Sequence, residues 1–188
     1  MEPRQPAIKA ILEGVLLVAA KPLSSMELAV ILHEFDKNAI VTALKRLQKE
    51  YDDECRGFEL KEVAGGWRLQ SRSGLEGWIL RLKGTTPARL GRSSLETLSI
   101  IAYKQPVTRA EIDHIRGVDS SGPVRLLLDK RLIKTSGRKD VPGRPLIYGT
   151  TRRFLEVFEL KGLSDLPSLA ELSDMEGAHG LPLFKKIA

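Results

Sequence analysis

Apolar residues return at helical spacing from the start of the chain. Ile8, Ile11, Leu12, Val15, Leu16 and Ala19 predict a helix over Ala7–Ala20, closed by Pro22. Ser24 or Ser25 can cap a second helix, Met26–His33, and Glu27 stands three residues after Ser24, the spacing of a capping box. Ile40, Val41, Leu44 and Leu47 form the stripe of a third helix, Asn38–Tyr51. The period then shortens: Phe58, Leu60 and Val63 lead into Gly65-Gly66, and Trp67 and Leu69 follow, which reads as a hairpin. A helix over Leu75–Leu82 and a Gly/Thr/Pro linker complete this half.

The order then repeats. Ser93 or Ser94 can cap a helix through Tyr103. Thr108, with Glu111 as its box partner, caps a helix over Arg109–Arg116 that ends at Gly117. Ser120 or Ser121 opens a third helix to about Arg131, with Pro123 in its first turn. Leu132–Ser136 and Leu146–Tyr148 are the expected strands, joined by a polar wing tip over Gly137–Arg144. Thr151 can cap a last helix carrying Phe154, Leu155 and Phe158. Ala20-Lys21-Pro22-Leu23 echoes Lys104-Gln105-Pro106-Val107, each just before a capped short helix. The expected fold is mainly α with small β-hairpins (α+β), in tandem winged-helix domains over residues 1–83 and 93–160. A linker at 84–92 and a partly disordered tail at 161–188 complete the expectation. In the tail, Leu169 and Leu172 share one short helical face, and disorder is expected beyond Asp174.

Composition narrows the function. The chain has 188 residues, 42% of them hydrophobic, which suffices for two modest cores. Its net charge of +6 is concentrated between Gly91 and Leu160, which carries 13 basic and 8 acidic residues. Such a segment suits an acidic partner, DNA included, and equally suits simple solubility. Cys55 is the single cysteine, so no intrachain disulfide forms and a cytoplasmic setting fits. Val15–Ala20 is too short to span a membrane.

No motif for chemistry emerges. His33, His114 and His179 lack metal-site spacing, and the Glu111/Asp113/His114 cluster reads as helix surface. Gly137–Gly143 lacks the glycine order and terminal Lys-Ser/Thr of a phosphate loop. No enzyme activity and no cofactor are expected. The wing Gly137–Pro145 is basic and stiffened by prolines. It reads either as a contact for phosphate or an acidic surface, or as a wing held by an Asp140–arginine pair. Arg125 is the one cation of the third helix of this half free to face a groove; in the first half Thr42, Lys45, Arg46 and Lys49 are available.

The run Leu95–Ile112, with Ile115–Gly122, Gly137–Thr151, Phe154–Pro167 and Val63–Leu69, resembles the bacterial segregation and condensation protein B family over about residues 8 to 172. The resemblance implies two winged-helix domains and a homodimer formed mainly through the amino-terminal domains. It also implies an accessory role in the SMC–kleisin condensin, clasping the central region of the kleisin, segregation and condensation protein A. The SMC ATPase is then reached through the kleisin, in the cytoplasm at the nucleoid. Ser99 stands where the family leads one to expect alanine, and is harmless if its hydroxyl bonds back to a helix carbonyl. Gly177–Ala188 matches nothing in the family.

On this reading Tyr103, Arg125, Leu132, Arg144 and Tyr148 are the expected kleisin contacts, with helix Arg109–Arg116 and the wing as rims. Ile8, Leu12, Leu16, Trp67 and Trp78 are the expected dimer contacts. Arg138, Lys139 and Arg144 offer a weak, non-specific DNA contact. The rival reading is a winged-helix DNA-binding transcriptional regulator.

Overall fold

A computed structural model describes residues 7–54, 56–84 and 89–168. The chain divides into two compact units, Met1–Pro87 and Ala88–Ala188, and both are mainly helical with small antiparallel sheets. Several expectations fall outside the described residues: Cys55, residues 85–88 of the linker, and the tail from Leu169, including Leu172 and Gly177–Ala188.

In unit 1, α1 (Ile8–Val18), α2 (Ser25–Ile31) and α3 (Lys37–Asp53) precede the hairpin β1 (Phe58–Val63) and β2 (Gly66–Ser71). The capping box forms as the spacing predicted: Glu27 N donates to Ser24 Oγ at 3.2 Å and Ser24 N to Glu27 Oε2 at 2.8 Å. Leu12, Leu16, Leu28, Ile40, Leu44, Leu47, Leu60 and Trp67 fill one core. Each such large side chain contributes roughly 1.5–3 kcal/mol by leaving water. Arg72 joins the hairpin exit to the end of α3, donating from Nη2 to the Tyr51 carbonyl at 2.7 Å. A 3-10 turn at Ser73–Leu75 leads into α4 (Glu76–Lys83), which the sequence reading began at Leu75. No residue of α4 is fully buried, and Trp78 and Leu82 face solvent.

In unit 2, α5 (Arg92–Lys104), β3 (Val107–Thr108), α6 (Arg109–Arg116), α7 (Ser121–Asp129), β4 (Ile133–Arg138), β5 (Leu146–Thr150) and α8 (Arg152–Phe158) follow in order. The sheet order is β3-β5-β4, all antiparallel. Strand β3 was not foreseen: two residues carry no readable alternation. Neither Ser93 nor Ser94 caps α5. Its N-cap is Gly91, Ser94 is buried inside the helix, and the Ser93 carbonyl accepts from Thr97 Oγ1 at 2.9 Å. Ser99 Oγ does bond back, to the Leu95 carbonyl at 2.8 Å. Helix α7 ends before Lys130, because Arg131 takes a positive φ of 57° that turns the chain into β4. Thr151 caps α8, accepting from Phe154 N at 3.2 Å.

The core of unit 2 gathers Leu98, Ile101, Ile112, Val124, Leu127, Leu132, Ile133, Tyr148 and Phe154. After α8, Leu160 and Leu166 pack back onto it.

Candidate partner-binding groove

Helix α6 is fixed at its start by a second capping box. Thr108 N and Oγ1 both donate to Glu111 Oε2, at 2.7 and 2.8 Å, and Glu111 N donates to Thr108 Oγ1 at 3.3 Å. Because Thr108 also belongs to β3, which pairs with β5, the helix is locked to the sheet at this point. The other oxygen of Glu111 accepts from Lys139 at the wing tip, at 2.6 Å. The Lys139 ammonium, followed by the Thr108 donors, pulls the Glu111 carboxyl down to about 2.

The wing is braced from inside as well. Lys139 N donates to the Pro145 carbonyl at 2.9 Å, Arg144 N to the Val141 carbonyl at 2.9 Å, and Arg138 Nη1 to the Arg144 carbonyl at 3.1 Å. Gly143 and Arg144 both take positive φ, 83° and 38°, to close the tip. The expected Asp140–arginine pair is not what holds the wing. Asp140 is exposed and makes no such pair among the described residues.

Between α6 and β5 lies a concavity of about 310 Å³, lined by Arg109, Ala110, Asp113, Pro145, Leu146 and Tyr148. Its lining is largely apolar. Arg109 and Asp113 stand at one edge as an i,i+4 pair 3.8 Å apart. Asp113 Oδ1 is held by Ser120 N at 2.7 Å, so the carboxylate is positioned from behind. Such a groove suits an extended or helical protein segment: apolar side chains on the floor, and an acceptor at the Arg109 guanidinium.

The structure brings some expected residues together and separates others. Tyr148 lines the groove, and Arg144 is exposed beside Pro145 at its wing end. Arg125 is exposed on α7 and does not line it. Leu132 is core, since the tight turn after α7 sends its side chain inward. Tyr103 donates its hydroxyl to the Pro167 carbonyl at 2.8 Å, holding the chain after α8 against α5. Arg109, Ala110, Asp113, Pro145 and Leu146 were foreseen only as rims. The Arg109–Asp113 spacing and the Leu146/Tyr148 alternation were the signals that mark them individually.

The expected dimer contacts need correction in unit 1. Leu12, Leu16 and Trp67 are core residues, facing inward because α1's stripe and the inner face of β2 build the unit's only described apolar cluster. Ile8 is half-buried against that cluster. Trp78 alone of the five is exposed, at 66%. The open apolar side chains of this unit are Leu17 and Val18 on α1, Met26, Val30 and Ile31 on α2, Phe58 on β1, and Trp78 and Leu82 on α4. Of the cations expected to meet DNA, Arg138, Lys139 and Arg144 are all exposed on the wing, but Lys139 is already paired with Glu111.

Among the described residues no three His, Cys, Asp or Glu side chains gather as a metal site, and no helix is long and apolar enough to cross a membrane.

Residues 10–169 match the family described as "Segregation and condensation complex subunit ScpB". Segregation and condensation protein B of Syntrophotalea carbinolica is 49% identical over 168 residues, covering 89% of this chain and 85% of that protein. The protein of the same name from Myxococcus xanthus is 42% identical over 172 residues, covering 92% of this chain and 52% of its own greater length. A solved structure described as the dimer of the ScpB N-terminal domain complexed with ScpA peptide is 28% identical, with a TM-score of 0.37, covering 39% of this chain and 91% of that one.

Proposed function

Because the chain belongs to the family of segregation and condensation complex subunit ScpB, we propose that it is the non-enzymatic accessory subunit of a bacterial SMC–kleisin complex. In this role it dimerises and clasps the central region of the kleisin. Its two units act as tandem winged helices with divided labour: unit 1 carries the dimer contact and unit 2 the kleisin contact.

The observation that carries the kleisin contact is the groove between α6 and the wing. Its apolar lining is open, yet both walls are braced before anything binds, by the Thr108–Glu111 box and the Lys139–Glu111 pair. A preformed groove loses little entropy on binding. Tyr148 and Leu146 supply the floor, and Arg109 and Arg144 set the register of the incoming segment.

For the dimer, the exposed apolar side chains of α4 and of the α1–α2 corner are available, whereas Leu12, Leu16 and Trp67 support those helices from within. The chain reaches the SMC ATPase through the kleisin and works in the cytoplasm at the nucleoid. DNA contact by the wing is secondary, since Lys139 is committed to Glu111.

Reconstitution tests the proposal. Mixed with kleisin and SMC chains, this protein is expected to co-elute with SMC only when kleisin is present. Co-elution with SMC in the absence of kleisin would contradict it, as would tight, sequence-selective duplex binding at physiological salt.

A further inference from the structure

A second concavity, of about 440 Å³, lies between α5 and the C-terminal end of α6, lined by Glu96, Ser99, Ile100, Ile115 and Arg116. It shares no lining residue with the groove against the wing. Ile115 stands half-exposed at its edge, and Val118 is exposed just beyond the helix.

Arg116 is the unusual member. Its side chain is only 6% exposed. Nη2 donates to Ser93 Oγ at 2.8 Å and Nη1 makes a long bond, 3.3 Å, to the Asp119 carbonyl. Glu96 stays 3.5 Å from Nη2, drawn outward by a 3.1 Å bond from Arg92 Nε. Nε is buried and has no acceptor among the described residues. A guanidinium presents its donors in a planar fork that matches a carboxylate in pairs. Here both terminal nitrogens are engaged, and the Nε–H alone is unspent. A buried donor without a partner is a standing cost that an incoming acceptor removes.

Around the groove, Arg92 and Arg116 both pair with Glu96, and the Asp119 carboxylate also lies within electrostatic reach of Arg116. The unspent Nε donor, not a surplus of charge, is what calls for an acceptor. Glu96 is 46% exposed, contacts Arg116 at Nη2 and not at Nε, and is also bound by Arg92 Nε.

We infer that this α5–α6 groove docks a partner-protein segment carrying an apolar side chain next to a carboxylate, the side chain resting on Ile100 and Ile115 and the carboxylate taking Arg116 Nε. This contact is independent of the kleisin reading of the other groove. Ser99 suits it: its hydroxyl is spent on the Leu95 carbonyl and adds no competing donor.

The test uses the full chain, labelled with nitrogen-15, and the probe acetyl-Leu-Glu-amide. The Arg116 Nε–H resonance and the Ser99 and Ile115 amides are followed by NMR. The probe is expected to shift all three, with Kd on the order of 1 mM. Acetyl-Leu-Gln-amide is expected to bind about fivefold more weakly. Glu96→Gln, which removes the competing carboxylate without touching the core, is expected to tighten the probe about threefold, and Ile115→Asp to abolish the shifts. Equal binding of the Glu and Gln probes overturns the inference, as does an Arg116 Nε–H that moves with neither. Two other occupants would also overturn it. If the Nε–H of the free chain is displaced by Glu171→Gln, the groove holds the chain's own Leu169–Glu176 segment. If it changes with protein concentration alone, the groove holds a second copy.

Discussion

Leu23 and Trp67 exchange both backbone hydrogen bonds: Leu23 N donates to the Trp67 carbonyl at 3.0 Å, and Trp67 N to the Leu23 carbonyl at 2.7 Å. Val107 faces Tyr148 in unit 2 as part of β3 and β5. In each unit the residue after a proline, just ahead of a capped helix, pairs with an aromatic residue on the second hairpin strand. This gives physical content to the echo between Pro22-Leu23 and Pro106-Val107.

The bridge sets a demand on Gly66. A Cβ there would lie 2.8 Å from the Leu23 carbonyl carbon and 3.0 Å from both the Leu23 oxygen and the Pro22 carbonyl carbon. These are backbone atoms and cannot step aside alone. Gly66→Ala is therefore expected to cost about 2–3 kcal/mol in urea denaturation. Gly65→Ala, at φ +70° but facing open space, is expected to cost only about 1 kcal/mol. Equal stabilities for the two variants would show that the bridge is not close-packed.

Acid should loosen both capping boxes. Glu27 is held down at about 2 by the Ser24 backbone N–H, then Lys21 and the Ser24 hydroxyl; Glu111 is held at about 2 by Lys139, then Thr108. Both folded values lie below the ordinary 4.5. Their contribution is therefore complete above the unfolded pKa and is lost as pH falls from about 4.5 toward 2. Both groups are solvent-accessible, so screening keeps each effect modest. Glu111→Gln is expected to flatten the wild-type decline in stability over that window and to leave the pH 6–8 plateau level. A wild-type and variant decline of equal slope would contradict the assignment.

The correction at the dimer face separates stability from association. Leu12→Ala empties a fully buried site and is expected to cost about 2–5 kcal/mol of unfolding free energy. Leu82→Glu changes a side chain that is 87% exposed and is expected to leave stability within about 0.5 kcal/mol. Sedimentation at micromolar concentration is expected to show Leu82→Glu, and Trp78→Glu with it, shifted toward monomer. A dimer unaffected by both would move the contact to the Leu17, Val18 and Val30 corner.

The sequence made the helices legible wherever a stripe and a cap coincided. Ser24 with Glu27, Thr108 with Glu111 and Thr151 all cap as expected, because a capping contact spans three residues and needs no tertiary information. The misses all depend on distant contacts. Gly91 displaces Ser93 and Ser94 as the cap of α5, and Ser94 is buried instead. Strand β3 exists only because β5 returns beside it. Leu12, Leu16, Trp67 and Leu132 were read as contact residues because they are large and apolar, but periodicity does not say whether a stripe faces its own core or a partner. The groove was legible as a pair of rims. The closing of the groove over Leu146 and Tyr148 required the wing to fold back, and the Lys139–Glu111 tie that holds it there joins residues far apart in sequence.

The most direct test of the account is calorimetric titration of a kleisin central fragment into the wild type, Leu146→Asp and Arg125→Ala. Leu146 lines the groove and is partly exposed, so the variant folds, while Arg125 is exposed away from it. Leu146→Asp is expected to bind at least about tenfold more weakly, about 1.4 kcal/mol, and Arg125→Ala to match the wild type. Unchanged affinity for Leu146→Asp, with the loss falling on Arg125→Ala, would contradict the assignment of the α6–wing groove as the kleisin site.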